Sequence, residues 1–287
     1  MKRETAWRIF SGELNLSKKK IVEEGDKAMT FVLTPLGAKV RRVFSVGVLV
    51  DVVPAENEDG FTKAKVSDGT SNFFVKASKY QDNVRKIIEN LEPPLIVSLT
   101  GKVSIYNPEP DKFWVSIIPE NITKSDENVR KYWIYSVAKR LKIRINAMDE
   151  AKKMKDPTVQ MLMDLGFPKT ISENTLLALK EYGDVDIEPY VNILEYSLKS
   201  ILPGYQEGEF EMPTIEEPEE SKDKEYENKI LSYIEKYDYD GKGVRYEDLR
   251  EYSEKEKISS EKLDEILELL ENDGIIYQPT FGYIKKV

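Results

Sequence analysis

The chain has 287 residues, 40% of them aliphatic or aromatic, which allows two or three domains with real cores. It contains no cysteine and no histidine. That excludes disulfides, thiol nucleophiles and thiolate metal sites, and removes the commonest general base and metal ligand. The net charge of −9 averages two unlike parts, because residues 1–155 carry 28 Lys/Arg against 20 Asp/Glu and residues 156–287 carry 15 against 32.

Such asymmetry suggests a nucleic-acid-binding part joined to a part with another task. No apolar run approaches the ~20 residues of a membrane span. The opening MKRETAWRIF lacks a signal-peptide pattern, so an intracellular protein is expected. A charged fraction of 33%, rich in Lys and Glu, points weakly to a thermophile.

Residues 1–39 have no clear class, beyond TPLGAKV (34–40) as a loop leading into a strand. VRRVFSVGVLVDVV (40–53) is β-branched and long, a central strand with Gly47 as a bend. The next two strands flank the turn-forming cluster SDGTSN (67–72). Alternation puts Phe61, Lys63 and Lys65 on one face of the first, and Thr62, Ala64 and Val66 on the other. In the second, Asn72, Phe74 and Lys76 oppose Phe73, Val75 and Ala77. A short helix (81–94) is stopped by Pro93 and Pro94. Two further strands follow, at 95–106 and 112–118. In the first of them Lys102 and Tyr106 share a face; in the second Trp114 is out of phase with Phe113, Val115 and Ile117. Five strands with a helix between the third and fourth is the order of an OB-fold barrel.

A long helix is predicted from Asp126 as N-cap, with an apolar stripe through Val129, Trp133, Val137, Leu141, Ile145 and Met148. Residues 157–202 read as more helices, broken at Gly166–Pro168, Gly183 and Pro203–Gly204. The acidic, Pro/Gly-containing segment 204–223 reads as a flexible linker. Beyond it come a helix around Ile230–Ile234, a short connection at Val244, a second helix in YEDLREY, and a third capped by Ser259. Ile258 and Leu263 are placed as a hydrophobic staple for that third helix, and Gly274 ends it. With a terminal hairpin, this is a winged helix. The expected fold is therefore a β-barrel plus α class. Its domains are an OB-fold with an N-terminal extension (1–125), a helical assembly region (126–202), an acidic linker (203–224) and a winged helix (225–287).

No catalytic constellation emerges, so no enzyme, cofactor or metal site is expected. DYDGKG (238–243) resembles the start of a calcium loop, but its twelfth position is Leu249 where Glu is required, and its fifth is Lys242. MDLGF (163–167) is similar to a ubiquitin-binding helical bundle over only a few residues and reads as helix packing. The Phe/Lys faces are the stronger signal. Aromatics give bases a stacking surface, and lysines neutralise phosphates without reading sequence. A plain solubilising face with aromatics tucked under a loop is the alternative. Repetition on several strands favours nucleic acid, with Arg41, Arg42, Phe61, Lys63, Lys65, Phe74, Lys76, Lys102, Tyr106 and Trp114 as candidate contacts.

TPLGAKVRRVFSVGVLVDV, AKVSDGTSNFFVKASKYQ, VSLTGKVSIY and FWVSIIPENI together resemble the archaeal replication protein A family, in its middle-subunit-like members. The resemblance covers residues 1 to about 150, and the C-terminal winged helix has the same placement. It implies a cytoplasmic, nucleoid-associated single-stranded-DNA-binding subunit of a heterotrimer, serving replication, repair and recombination. The family's stacking aromatics fall at Tyr106 and on the third strand, at Phe74 or Phe73. It also implies that the helix carrying Val129, Trp133, Val137, Leu141 and Ile145 assembles with other subunits, and that the winged helix recruits replication or repair proteins. A stripe that wide packing on the chain's own barrel is the alternative to assembly. Residues 150–202 have no family role. The rivals are a telomere-type capping subunit of the same architecture and an adaptor whose barrel binds only protein. In the winged helix, Glu261, Asp264, Glu265, Glu268 and Glu271 face a single lysine, Lys262, on the helix that would enter a DNA groove. Phosphate would be repelled there, which suits protein capture.

Overall fold

The computed structural model describes residues 5–23, 29–55, 60–109, 112–205, 223–239, 241–272 and 275–286. The chain divides into two compact units, Met1–Val103 with Val115–Ile215, and Ser104–Trp114 with Glu216–Val287. Most of the expected linker, 206–222, lies outside the described residues.

The N-terminal residues, which gave no clear class, form α1 (Ser11–Asn15) and a small antiparallel sheet of β1 (Lys19–Glu23), β2 (Met29–Leu33) and β3 (Lys39–Val40). The barrel strands follow as β4 (Arg42–Val53), β5 (Thr62–Ser67) and β6 (Asn72–Ala77). After α2 (Asp82–Glu89) come β7 (Leu95–Glu109) and β8 (Lys112–Lys124). They close in the order β4-β5-β6-β8-β7. β4 pairs antiparallel with both β5 and β7, and β6 meets β8 in parallel at Val75 and Ile117. A five-stranded closed barrel with this order, and a helix between its third and fourth strands, is an OB-fold.

Alternation sets the barrel core. Thr62, Ala64 and Val66 on β5, and Phe73, Val75 and Ala77 on β6, are all buried as expected. Closure also needs close backbone approach. A Cβ on Gly47 would sit 2.4 Å from the Ser67 carbonyl oxygen, and one on Gly101 2.4 Å from that of Ile118. Any side chain there would push strands apart, so these two glycines let the strands approach.

The long helix α3 (Glu127–Lys153) starts where the sequence placed it. The Asp126 carboxylate accepts from Asn128 N at 2.8 Å and Val129 N at 3.0 Å, satisfying two of the first-turn donors. Three more helices, α4 (Val159–Asp164), α5 (Lys169–Tyr182) and α6 (Glu188–Ser200), pack with it in the same unit as most of the barrel. The α3 stripe, an assembly surface by the resemblance, packs largely within the chain, which is the alternative given for it. Trp133 is 2% exposed, Val137 and Leu141 0%, and Ile145 6%. Those side chains face β4, α5 and α6 of their own chain. Only Val129 of the five stays open, at 41% exposure. Residues 150–202, which had no role, and the N-terminal extension supply the cover.

Specific polar contacts lock that cover in place. The Trp133 indole donates to the Phe44 carbonyl at 2.9 Å, fixing α3 to β4. Arg144, fully buried, donates from Nε to Glu13 Oε1 at 2.9 Å and from Nη2 to Glu13 Oε2, a bidentate ion pair between α3 and α1. The Tyr182 hydroxyl donates to the Leu33 carbonyl and accepts from Lys18 N at 3.0 Å, tying α5 to the N-terminal sheet. Burial pushes that phenol up to about 12.

The second unit contains α7 (Asp223–Tyr237), β9 (Val244–Arg245), α8 (Tyr246–Lys255), α9 (Ser260–Asn272), β10 (Ile276–Thr280) and β11 (Tyr283–Lys286), with sheet order β10-β11-β9. That is the helix, helix, helix and hairpin order expected of a winged helix, with one short added strand. Lys262 N donates to the Ser259 hydroxyl at 3.2 Å, and both staple residues, Ile258 and Leu263, are buried. Gly274 lies outside the described residues. Of the calcium-like stretch, Asp238 accepts from Gly243 N at 2.8 Å.

Candidate nucleic-acid interface

The β5–β6 hairpin brings the predicted face together as read. Lys63 lies opposite Lys76, Lys65 opposite Phe74, and Ser67 opposite Asn72. Such cross-strand neighbours sit ~5 Å apart on one face of the ladder. The Lys65 ammonium lies 6.0 Å from the centre of the Phe74 ring. Three lysines and an aromatic thus occupy adjoining positions, with Phe61 half-buried just before β5.

The turn joining these strands is anchored from below. Asp68, in the turn-forming cluster, is buried. Its carboxylate accepts from Ser11 N at 2.7 Å and Ser11 Oγ at 2.8 Å, and from Thr70 N at 2.9 Å and Thr70 Oγ1 at 2.7 Å. Burial pushes its carboxyl above the usual range, against the lowering effect of those bonds. The hairpin is thereby held to α1, which fixes the direction in which the lysine face points.

Two predicted aromatics are less available than alternation implied. Phe74 and Trp114 are each 6% exposed. Trp114, read as an outward residue of β8, is flanked by buried residues of both phases, Val115 and Ser116. Tyr106 is half-buried on β7, and like Trp114 it belongs to the second unit, where the Lys262 ammonium lies 5.7 Å from its ring centre.

The predicted arginines group elsewhere. Arg42 opposes Lys102 across β4 and β7 and pairs with Glu120 at 2.6 Å. Val48, where the β5 ladder begins, is six residues further along β4, about 20 Å of extended chain. Arg41 sits between β3 and β4, half-buried, with its guanidinium 3.5 Å from the Met29 sulfur. Arg42 and Lys102 therefore form a cluster separate from the hairpin lysines.

Sequence reasoning missed a second basic and aromatic surface. Beside β4, Trp7 N donates to the Arg42 carbonyl and Phe44 N donates to the Trp7 carbonyl, both at 2.8 Å. Trp7 and the outer face of α3 border a cavity of about 480 Å³. Tyr132 is 70% exposed there and Tyr135 49%. The available signal was charge: residues 128–148 hold Arg130, Lys131, Lys139, Arg140, Lys142 and Arg144 and not one carboxylate.

Among the described residues no group of acidic side chains is arranged to hold a metal, and no helix is long and apolar enough to cross a membrane. Among solved structures the chain is similar to the S. pombe Stn1–Ten1 complex, at 16% identity and a TM-score of 0.38 over 48% of this chain and 93% of that one. It is similar to a replication protein A heterotrimer bound to single-stranded DNA, at 12% identity and 0.34 over 48% and 95%. Mitochondrial Rim1 of S. cerevisiae, a single-stranded-DNA-binding protein, is similar at 11% identity and 0.24 over 29% and 92%. No protein-family model matches the chain, and no curated protein does. The fold assignment rests on the strand order and register of the barrel.

Proposed function

We propose that the chain is a non-enzymatic, largely sequence-independent single-stranded-DNA-binding subunit of a replication protein A-like complex, acting in replication, repair and recombination. The observation that carries this reading is the cross-strand set Lys63/Lys76 and Lys65/Phe74 on an OB barrel. Lysines in that array neutralise successive phosphates, and Phe61, half-buried just before β5, offers a base a stacking partner that Phe74, 6% exposed, does not. Neither group reads base identity, so binding tolerates any sequence. The test is a titration of the full-length chain with single-stranded and duplex DNA of mixed sequence. Tighter binding to the single strand is expected; equal binding, or none, sinks the proposal.

The C-terminal unit fits protein capture in this scheme. Its helix α9 exposes Asp264 and Glu271 and half-exposes Glu265 and Glu268, a surface suited to basic partners. Replacing Glu268 and Glu271 by Lys should reduce capture of replication or repair proteins while leaving DNA affinity unchanged. Weaker or stronger DNA binding by that variant would argue against the division of labour.

One observation favours the adaptor reading instead: Phe74 and Trp114 are nearly fully buried, leaving little aromatic area on the barrel for bases. A barrel that binds only protein would show no salt-dependent DNA affinity, and the same titration across salt concentrations separates the two.

A further inference from the structure

The outer face of α3 has no place in the reading above. Tyr132, Tyr135, Lys139 and Ile143 follow at three-, four- and four-residue spacing, so they line one side of the helix. Together with Trp7 and Arg140 they border the cavity of about 480 Å³. Ile143 is 41% exposed, and the Lys139 ammonium lies 5.5 Å from the Tyr135 ring centre. Arg144, which also lines the cavity, is committed to Glu13 and lies 5.8 Å from the Trp7 ring centre.

We infer that this groove is a second contact for single-stranded nucleic acid, taking bases on Tyr132 and Tyr135 and backbone phosphates on Lys139 and Arg140. The inference rests on the DNA-binding reading and extends it to a surface outside the barrel strands. Three observations select this occupant. The groove has aromatic faces of base size in the open, where the barrel's Phe74 and Trp114 are covered. Its cations Lys139 and Arg140 stand in a 21-residue run without a single acid, 128–148. Arg130 and Lys131 pair with Glu127 and Arg144 with Glu13, so an anionic ligand is favoured at the Lys139–Arg140 end. A second copy of this helix would bring the same cations face to face across a two-fold axis, which like charge opposes. An acidic peptide would satisfy the charge, yet it gains less than a base from the paired tyrosines and the ammonium over Tyr135.

The test uses the full-length chain and thymidine strands of roughly 8 and roughly 30 nucleotides, one near the site size of a single OB-fold and one well beyond it. Tyr132→Ala with Tyr135→Ala should weaken binding of the longer strand by about twentyfold or more, from two lost stacks. Both side chains are exposed, so the fold should survive, and an unchanged thermal melt checks that it does. Lys139→Glu with Arg140→Glu should weaken the longer strand and flatten its salt dependence. Photo-crosslinking of a 5-iodouracil-substituted strand should label Tyr132, Tyr135 or Trp7. Wild-type affinity in both double variants, with no crosslink on α3, overturns the inference while leaving the barrel reading intact. Loss of self-association or of binding to a poly-glutamate peptide, with DNA affinity unchanged, assigns the face to protein and overturns it equally. If the unaltered chain binds neither strand, both readings fall together.

Discussion

The β5–β6 hairpin and helix α3 both carry apolar and basic residues in regular spacing, and the same kind of periodicity argument was applied to each. On the hairpin it succeeded, because a strand has only two faces and the β-branched and aromatic set must take the inner one. On α3 it found the stripe but named no partner; other subunits came from the family resemblance. Trp133, Val137, Leu141 and Ile145 are covered by the chain's own β4, α5 and α6. Periodicity shows that a helix face is buried, never what buries it. The outer face, which the apolar stripe left unremarked, is where the exposed tyrosines, Lys139 and Arg140 lie.

The sharpest way to break this contrast is to attack the inner side of α3. Glu13→Gln leaves the Arg144 guanidinium buried without its counter-charge, and should cost about 3–5 kcal/mol of stability. Chemical denaturation of the full chain measures it. A cost below ~1 kcal/mol would mean that α1 and α3 are not locked together as described. Leu141→Glu, for the same reason, should unfold the unit rather than release a partner subunit from a folded barrel.

A smaller effect is expected at Trp133. Replacement by Phe keeps the ring's apolar body and strands the Phe44 carbonyl, a loss of about 1–3 kcal/mol by the same measurement.

The hairpin anchor is tested by pH. Burial raises the Asp68 carboxyl above its unfolded value, so the folded chain holds that proton more tightly. The contribution of Asp68 is then fully present at low pH, and is lost as pH rises through the unfolded and then the folded pKa. Relative to Asp68→Asn, the unaltered protein should gain stability as the solution is acidified through the carboxylate range. A relative loss on acidification would mean that the four hydrogen bonds outweigh burial. At the small end, Tyr132→Ala on the outer face should change stability by less than ~0.5 kcal/mol, as befits an exposed side chain.

Much of the barrel was legible: strand order, the inner faces of β5 and β6, the Asp126 cap and the breaks at Gly166 and Gly183 all follow from local chemistry. What escaped depends on contacts distant in sequence. Asp68 reads as a turn residue, and only the approach of Ser11, 57 positions away, makes it a buried acceptor. The N-terminal sheet escaped because β1 is almost wholly exposed and β3 spans two residues, too little for alternation to register. Arg42 and Lys102 were named beside the hairpin lysines as candidate contacts; the length of β4 separates them.

The most direct test of the account is the affinity of the full-length chain for single-stranded DNA, measured across salt concentrations, with and without Lys63→Glu and Lys65→Glu. If the β5–β6 face tracks the backbone, the double variant should bind far more weakly. The slope of log affinity against log salt should also shrink by about 1.4, two phosphate contacts at ~0.7 each. An unchanged affinity and an unchanged slope would contradict the assignment of the barrel face to DNA.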